Sequence, residues 1–129
     1  MSLTIDAQTI TAITVNSLFQ SVFTIMTVNL SEVNGMYISE RQPSLNFRHR
    51  KSLSGYESQW HVAGDPTLII VLDGSIELTV RSGEQRTFNK GEQFIAADYL
   101  PKHVAFTEAQ GHKARVIGNT VFQAVHIKL

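Results

Sequence analysis

The sequence predicts a single all-β domain, folded as a barrel or a jelly roll. Short apolar segments recur between Trp60 and Ala97, and they are separated by Asp73-Gly74, Ser82-Gly83 and Lys90-Gly91. Asp-Gly between two apolar runs favours a type I′ hairpin, because that turn needs positive φ at both central residues. Long helical periodicity is absent after residue 20. These turns, and the missing helical pattern, indicate a closely wound antiparallel sheet.

The first 44 residues are expected to supply strands or an arm that covers the barrel. Residues 6–20 fit two alternatives, because Asp6 could cap a short helix, whereas the Thr, Ile and Val content favours a strand equally well. Alternation and β-branching predict a strand from Ser21 to Leu30. A turn at Glu32–Gly35 and a short strand at Met36–Ser39 follow.

Residues 45–129 are expected to form the barrel core of one domain that spans residues 1–129. The strands predicted for this core are Leu45–Leu53, Thr67–Leu72, Ser75–Val80, Arg86–Phe88, Gln93–Ala97, Lys113–Ile117 and Val121–Lys128. A polar loop, Asp98–Gly111, precedes the last two strands.

Two of these strands carry further information. In the strand Leu45–Leu53, Phe47, His49 and Lys51 alternate with Arg48 and Arg50, which is the period of a half-buried strand. The second, TLIIVL, is apolar on both faces. One face should line the barrel, and the other should be covered by the N-terminal segment or by a second subunit. The sequence therefore predicts a homodimer.

Composition limits the classes of partner. The chain has 129 residues, 43% of them hydrophobic and 17% charged, which is typical of one globular domain. Lys and Arg number 11, as do Asp and Glu, so no bulk charge favours nucleic acid or an anionic membrane. All basic residues follow residue 40, so the barrel is mildly basic and an acidic small molecule would suit its cavity.

The chain contains no cysteine, which excludes disulfides, zinc thiolate sites and cysteine nucleophiles. The N-terminus lacks the basic and apolar regions of a signal peptide. Ile10–Leu30 is interrupted by polar residues too often to be a membrane span. We therefore expect a cytoplasmic protein.

Histidines are the main candidates for chemistry. His61 stands at the entrance of the best-defined strand, and His112 follows a glycine after the polar loop. Neutral imidazole binds transition metals, but a stable site normally has three or four protein ligands. His103, in the loop, and His49, if it points inward, are alternates. His126 shares a face with Phe122 and Ala124, which favours a structural role.

Other side chains offer weaker signals. Trp60 and Tyr56 flank a turn and could close one end of the barrel. Tyr99 could act as an acid beside Asp98 only in a loop, because adjacent strand residues point to opposite faces. Arg115 would clamp a carboxylate if it pointed inward, but alternation from His112 favours the other side.

These residues resemble those of a cupin. The first cupin motif, G-x5-H-x-H-x3,4-E-x6-G, aligns with its final glycine at Gly74 and its first histidine at His61. Its second histidine and its glutamate then fall on Ala63 and Thr67. The second motif, G-x5-P-x-G-x2-H-x3-N, starts at Gly91, but Ala97 replaces its proline and Lys102 its histidine.

The sequence is more similar to small, single-domain bacterial cupins of the RmlC-like superfamily. They have a Trp-His start, a VVVLSG-like hairpin and a GHxxRVVG-like ending. Trp60-His61, Ile69–Gly74 and Gly111–Gly118 stand in those places, and His112 becomes the downstream family histidine. The resemblance covers residues 45 to 129 well. It implies a cupin-type double-stranded β-helix, a jelly-roll barrel, with a degenerate metal motif.

The resemblance implies a pocket inside the barrel whose ligand-binding residues are Trp60, His61, Thr67, Tyr99 and His112. A divalent transition metal (iron, manganese, nickel or zinc) would be held by His61 and His112, with His49 and His103 as alternates. Loss of two of four ligands should weaken metal affinity severely.

The sequence leaves four functions open and does not decide whether the protein is an enzyme. The first is binding of a small molecule inside the barrel, with catalysis not excluded. The second is a metal-dependent, oxygenase-like or isomerase-like enzyme with a reduced histidine set. The third is metal-free acid–base catalysis, with His61 as base and Tyr99 as acid. The fourth is a ligand-sensing or purely structural domain.

Overall fold

The computed structural model describes residues 5–129 and contains only strands, turns and loops over that range. The strands are β1 (Ala7–Val15), β2 (Ser21–Asn29), β3 (Ser31–Val33), β4 (Met36–Ile38), β5 (Asn46–Ser52), β6 (Thr67–Asp73), β7 (Ser75–Val80), β8 (Gln85–Asn89), β9 (Gln93–Ala96), β10 (His112–Ile117) and β11 (Phe122–Lys128). A six-stranded sheet has the order β2-β1-β9-β6-β11-β5, and a three-stranded sheet has the order β10-β7-β8. No helix within the described range is long and apolar enough to cross a membrane.

The strand pairs are nested, as in a folded hairpin ribbon. β7 pairs with β8 at the tip, β6 with β9 next, then the segment 57–61 with β10, and finally β5 with β11. Successive pairs alternate between the three-stranded and the six-stranded sheet. All these pairs are antiparallel. This is the double-stranded β-helix, or jelly roll, and the predicted fold class is confirmed.

Two of the three glycine turns change sheets instead of forming hairpins. Gly74, with φ +75°, leads the chain from β6 in one sheet to β7 in the other, and Asp73 does not have positive φ. The type I′ hairpin predicted at Asp73-Gly74 is therefore wrong. Gly91 makes the same kind of corner between β8 and β9, whereas Ser82-Gly83 does join the paired strands β7 and β8. Short apolar runs bounded by Gly do not distinguish a hairpin from a corner between sheets.

The N-terminal segment extends the sheet edge and does not lie over its face. Residues 6–20, which fitted a helix or a strand, contain β1, which runs parallel to β9. β2 then pairs with β1 along its whole length. Because β1 lies beside β9, Leu72 on the outer face of β6 remains 44% exposed.

The main core lies between the two sheets. Its buried residues are Ile13, Ile69, Val71, Ile76, Leu78, Val80, Phe88, Phe94, Ala96, Ala114, Val116, Phe122 and Ala124. A smaller cluster on the outer face joins Ile10, Ala12 and Ile95. Toward one end of the barrel the core gives way to a cavity, which is the candidate site.

Candidate functional site

The cavity opens between the sheets and has a volume of about 230 Å³. Its apolar wall consists of Ile69, Ile76, Leu78, Phe94, Ala96 and Ala114. Its polar and mouth residues are Asn46, Arg48, Arg50, His61, Val62, Ala63, Gly64, Asp65, Thr67, His112, His126 and Lys128. One end of the barrel is thus a half-apolar, half-polar chamber, which is typical of small-molecule sites.

His61 and His112 lie side by side at this cavity. The backbone N–H of each residue donates to the carbonyl of the other, over 2.9 and 2.8 Å, in an isolated antiparallel bridge. Their ring centroids are 4.5 Å apart. The nested pairing therefore joins two histidines that are separated by 51 positions in the chain.

Asp98 holds the ring of His112. The carboxylate is completely buried, and its Oδ2 lies 2.7 Å from His112 Nδ1. Oδ2 also accepts from Ser21 Oγ at 2.6 Å, and Oδ1 accepts from the Ala63 N–H at 3.0 Å. Burial alone would raise the pKa of the Asp98 carboxyl, but the hydrogen bond and charge of His112, with the other two bonds, hold it below its ordinary value.

Both imidazoles keep one ring nitrogen available. Because a carboxylate is the partner, Nδ1 of His112 carries the proton, and Nε2 has no partner within the described residues. His61 Nδ1 lies 2.8 Å from the carbonyl oxygen of Gln59 and donates to it. In the neutral tautomer that these contacts select, the Nε2 atom of each ring would carry the lone pair.

The opposite side of the cavity is cationic. Arg48 and Arg50 on β5 are in register with His126 and Ala124 on β11, so they share the inward face of the sheet. Lys128 lies further along the same face. The outward face of β5 carries His49, and Phe47 is 67% exposed there. The inward orientation considered for His49 is therefore wrong. Arg48 and Arg50, which alternate with it along the strand, point inward instead.

His126 is half-buried among these cations. Its Nε2 is buried and lacks a hydrogen-bond partner in the described part of the chain. Burial, followed by the charges of Arg50 and Arg48, lowers the pKa of His126 from 6.5 to about 4. The imidazole is therefore neutral at pH 7. The structural role expected for it does not explain the two neighbouring arginines or the ring nitrogen without a partner.

This neutral histidine should make stability depend on pH. Between about pH 6.5 and 4 the unfolded chain binds a proton that the folded protein does not, so the free energy of unfolding should fall as the pH is lowered. We expect a loss on the order of 1–2 kcal/mol, since solvent screening of the partly exposed ring reduces the full effect. Urea unfolding at about pH 7 and about pH 5 measures it. His126→Gln should lack this component, and an equal loss in both proteins would contradict the assignment.

The structure places the remaining candidates in different surroundings. Thr67 lines the cavity with His61 and His112. Trp60 does not, because it precedes His61 and points away, under the guanidinium of Arg81 at 4.0 Å. Tyr99 is 55% exposed outside the cavity, next to the buried Asp98. The pocket rim expected at Trp60 and the acid expected at Tyr99 are therefore not found at the cavity.

Neither His103 nor Arg115 lines the cavity. His103 lies in the polar loop with its ring centroid 6.3 Å from that of Phe19, away from the other candidate ligands. Arg115 faces outward, as alternation from His112 predicted, and pairs with Glu77 at 2.9 Å.

The donor set does not fit a resident transition metal. His61 and His112 supply two imidazoles, and Thr67 and Ala63 stand at the other family ligand positions. Within residues 5–129, no group of three or more His, Cys, Asp or Glu side chains could hold a metal. Protein metal sites for such ions normally use three or four side chains.

Sequence reasoning missed the cationic wall as part of the site. The alternation of β5 separated Arg48 and Arg50 from Phe47 correctly, but it did not say which face points inward. An apolar Phe47 favoured the wrong face. The useful signal was the presence of two arginines at positions i and i+2 in a strand that pairs with the strand of His126.

Neither family models nor curated proteins match the chain. Among solved structures, the chain is similar to the Cnp3 cupin domain of Schizosaccharomyces pombe, with 16% identity over 95% of this chain and 85% of that one, and a TM-score of 0.49. It is also similar to a cupin-2 domain protein from Shewanella frigidimarina, with 20% identity, 78% coverage of both chains and a TM-score of 0.44.

A third similar structure is protein NMB1881 from Neisseria meningitidis, with 21% identity over 70% of this chain and 79% of that one, and a TM-score of 0.47. Similarity at this level carries nothing about ligand or activity. The nested strand pairs themselves establish the cupin-type double-stranded β-helix that the sequence predicts.

Proposed function

We propose that this protein binds a small organic molecule in the barrel cavity. The observation that carries the proposal is the chamber of about 230 Å³, which is lined by apolar side chains from both sheets together with imidazole and guanidinium groups. Pockets that combine a mostly apolar surface with a few convergent polar groups are typical of ligand sites.

Filling the cavity tests this function. Ala114 lies on the apolar wall, and Ala114→Leu adds three carbon atoms there. We expect the variant to stay folded and to lose bound small molecules, because the added side chain occupies ligand volume. Ala105→Leu, at an exposed loop position, is the matched control.

Native mass spectrometry of protein taken directly from cells, with thermal-shift screening of metabolites, provides the measurement. A one-to-one adduct or stabilising compound in the wild type and the control, but not in Ala114→Leu, supports binding in the cavity. Ligands that bind all three proteins equally would contradict it.

A second candidate is metal-free acid–base catalysis on the bound molecule. The Asp98–His112 pair favours it, since a buried carboxylate fixes the tautomer of a base at the cavity. His61, also with Nε2 available, would supply the second group in place of Tyr99. His112→Gln should then keep binding and lose turnover of the identified ligand, and unchanged turnover would exclude this role.

The metal-dependent alternative, oxygenase-like or isomerase-like, requires donors beyond the two imidazoles described above. Elemental analysis of untagged wild type and His61→Ala tests it. Near-stoichiometric iron, manganese, nickel or zinc in the wild type alone would favour that enzyme. Absence of metal from protein incubated with these ions would count against it.

We also propose that the protein forms a homodimer, as the sequence predicts. The hairpin β3–β4 is fully solvent-facing and includes Met36 and Ile38, which are 56% and 45% exposed. A second copy that covers this hairpin would remove that apolar surface from water. Sedimentation equilibrium distinguishes a dimer from a monomer. Bacterial origin and a cytoplasmic location also stay predictions.

A further inference from the structure

We propose that the ligand of the cavity is a small organic anion, with its carboxylate or phosphate bound by Arg48 and Arg50 and its apolar part against Ile69, Leu78 and Phe94. This inference rests on the cavity-binding function proposed above. It names the chemical class of the ligand and the residues that select it.

Arg48 and Arg50 lack countercharges in the described part of the protein. Within residues 5–129, neither Arg48 nor Arg50 has an ion-pair partner. The third cation, Lys128, has only a long contact with Asp65, at 3.9 Å. The buried carboxylate of Asp98 is already hydrogen-bonded to His112. The two arginines are therefore unpaired within the described residues, and the one carboxylate that lines the cavity there, Asp65, contacts Lys128 instead.

This arrangement is unfavourable for the protein alone. Arg50 is half-buried, and burial and the like charge of Arg48 lower its pKa below the ordinary value. Its Nε donates to Ser52 Oγ at 2.9 Å, and its guanidinium carbon lies 5.2 Å from the ring centroid of Phe122. These contacts position the group but do not neutralise it. A bound anion would do so.

The geometry suits an oxyanion. Residues i and i+2 of a strand project from the same face, about 7 Å apart along the chain, so two guanidinium groups can converge on one group between them. The guanidinium is planar and binds carboxylate or phosphate oxygens through paired N–H donors. The apolar residues of the cavity, which come from both sheets, would contact the remainder of the molecule.

His126 provides an independent observation. It lies directly opposite Arg48 in the β5–β11 register, and its buried Nε2 has no hydrogen-bond partner in the described part of the chain. A buried polar atom without a partner is costly. The charged groups around it are Arg48 and Arg50 on β5, Lys128 on its own strand, and Asp65 in the loop before β6. An oxyanion held by the arginines would supply the missing partner.

Isothermal titration calorimetry with three matched probes tests the inference. Benzoate and phenyl phosphate carry the two anionic groups on the same ring, and benzamide is the neutral analogue. We expect at least one anion to bind the wild type about tenfold or more tighter than benzamide. The better anion distinguishes a carboxylate from a phosphate ligand.

Arg48→Gln should weaken binding of that anion about tenfold or more and leave benzamide binding unchanged. Arg48 is exposed at the cavity mouth, so this variant should retain the fold. Arg50→Gln should act in the same direction. Lys51→Gln, which removes a cation from the outward face of the same strand, should bind as the wild type does.

Equal binding of benzamide and the anions, or unchanged anion binding by Arg48→Gln, would overturn the inference and leave cavity binding intact. If Arg48→Gln and Lys51→Gln weaken anion binding equally, the effect is one of net charge, which also overturns it. If none of the probes binds, the inference fails for this anion class. Failure of the proposed function is recognised separately, because ligands would then bind Ala114→Leu as well as they bind the wild type.

Discussion

Replacement of Asp98 by alanine is expected to lower the free energy of unfolding by about 3–5 kcal/mol. The carboxylate is completely buried and accepts hydrogen bonds from Ser21, His112 and the Ala63 backbone. Its removal leaves two buried donors and one part-buried donor without a partner, and a cavity where the carboxylate was. Urea denaturation of the wild type and the variant measures the difference.

A surface carboxylate provides the control for this effect. Glu84 lies 2.7 Å from Arg86, which is as short as the Asp98–His112 contact, but both side chains are about half exposed. Glu84→Ala should therefore cost less than about 1 kcal/mol. Asp98→Asn should be intermediate, because the amide retains the shape and one acceptor oxygen. If Asp98→Ala and Glu84→Ala are equally stable, the buried network does not hold this end of the barrel.

The second large effect is expected for Gly111→Ala. Gly111 has φ +96°, and an added Cβ would lie 2.9 Å from the carbonyl oxygen of His61 and 2.9 Å from the Phe106 ring. That carbonyl accepts the backbone bond from His112, so relief of the clash must separate the two histidines. We expect a loss of about 2–4 kcal/mol in the free energy of unfolding, and weaker binding in the cavity.

Gly118 separates backbone strain from the steric contact. It also has positive φ, +79°, but a Cβ there would meet nothing within 4 Å. Gly118→Ala should therefore cost only the conformational strain, about 1–2 kcal/mol. Thermal and urea unfolding of both variants provide the comparison. Equal losses would show that the His61 carbonyl can move freely, in contradiction to a rigid histidine pair.

The sequence predicted the strands well and their partners poorly. Seven core strands and the polar loop before β10 appear as expected, because alternation and glycine punctuation are local signals. Whether Asp73-Gly74 makes a hairpin or a corner depends on β11, since the Phe122 backbone packs against Gly74. That contact is between distant parts of the chain, and a local pattern does not contain it.

Only part of the candidate site was predicted from the sequence, again because contacts between distant residues are absent from local patterns. The positions of His61 and His112 in the sequence made them candidates, the cupin resemblance favoured His112 as the downstream histidine, and the structure brings the two together. Asp98 was considered only beside Tyr99, its neighbour in the chain, whereas its partner Ser21 is separated from it by 77 positions. The roles of Arg48 and Arg50 required the inward face of β5, which pairing with β11 decides.

Methyl-resolved NMR of the wild type during titration with benzoate and phenyl phosphate shows where in the protein these anions bind. We expect saturable shifts in the methyl signals of Ile69, Ile76 and Leu78, which line the cavity. The signals of Ile10 and Ile95, in the cluster on the outer face, should stay unchanged. Shifts confined to the outer cluster, or the absence of any saturable shift, would contradict the cavity as the binding site for organic anions.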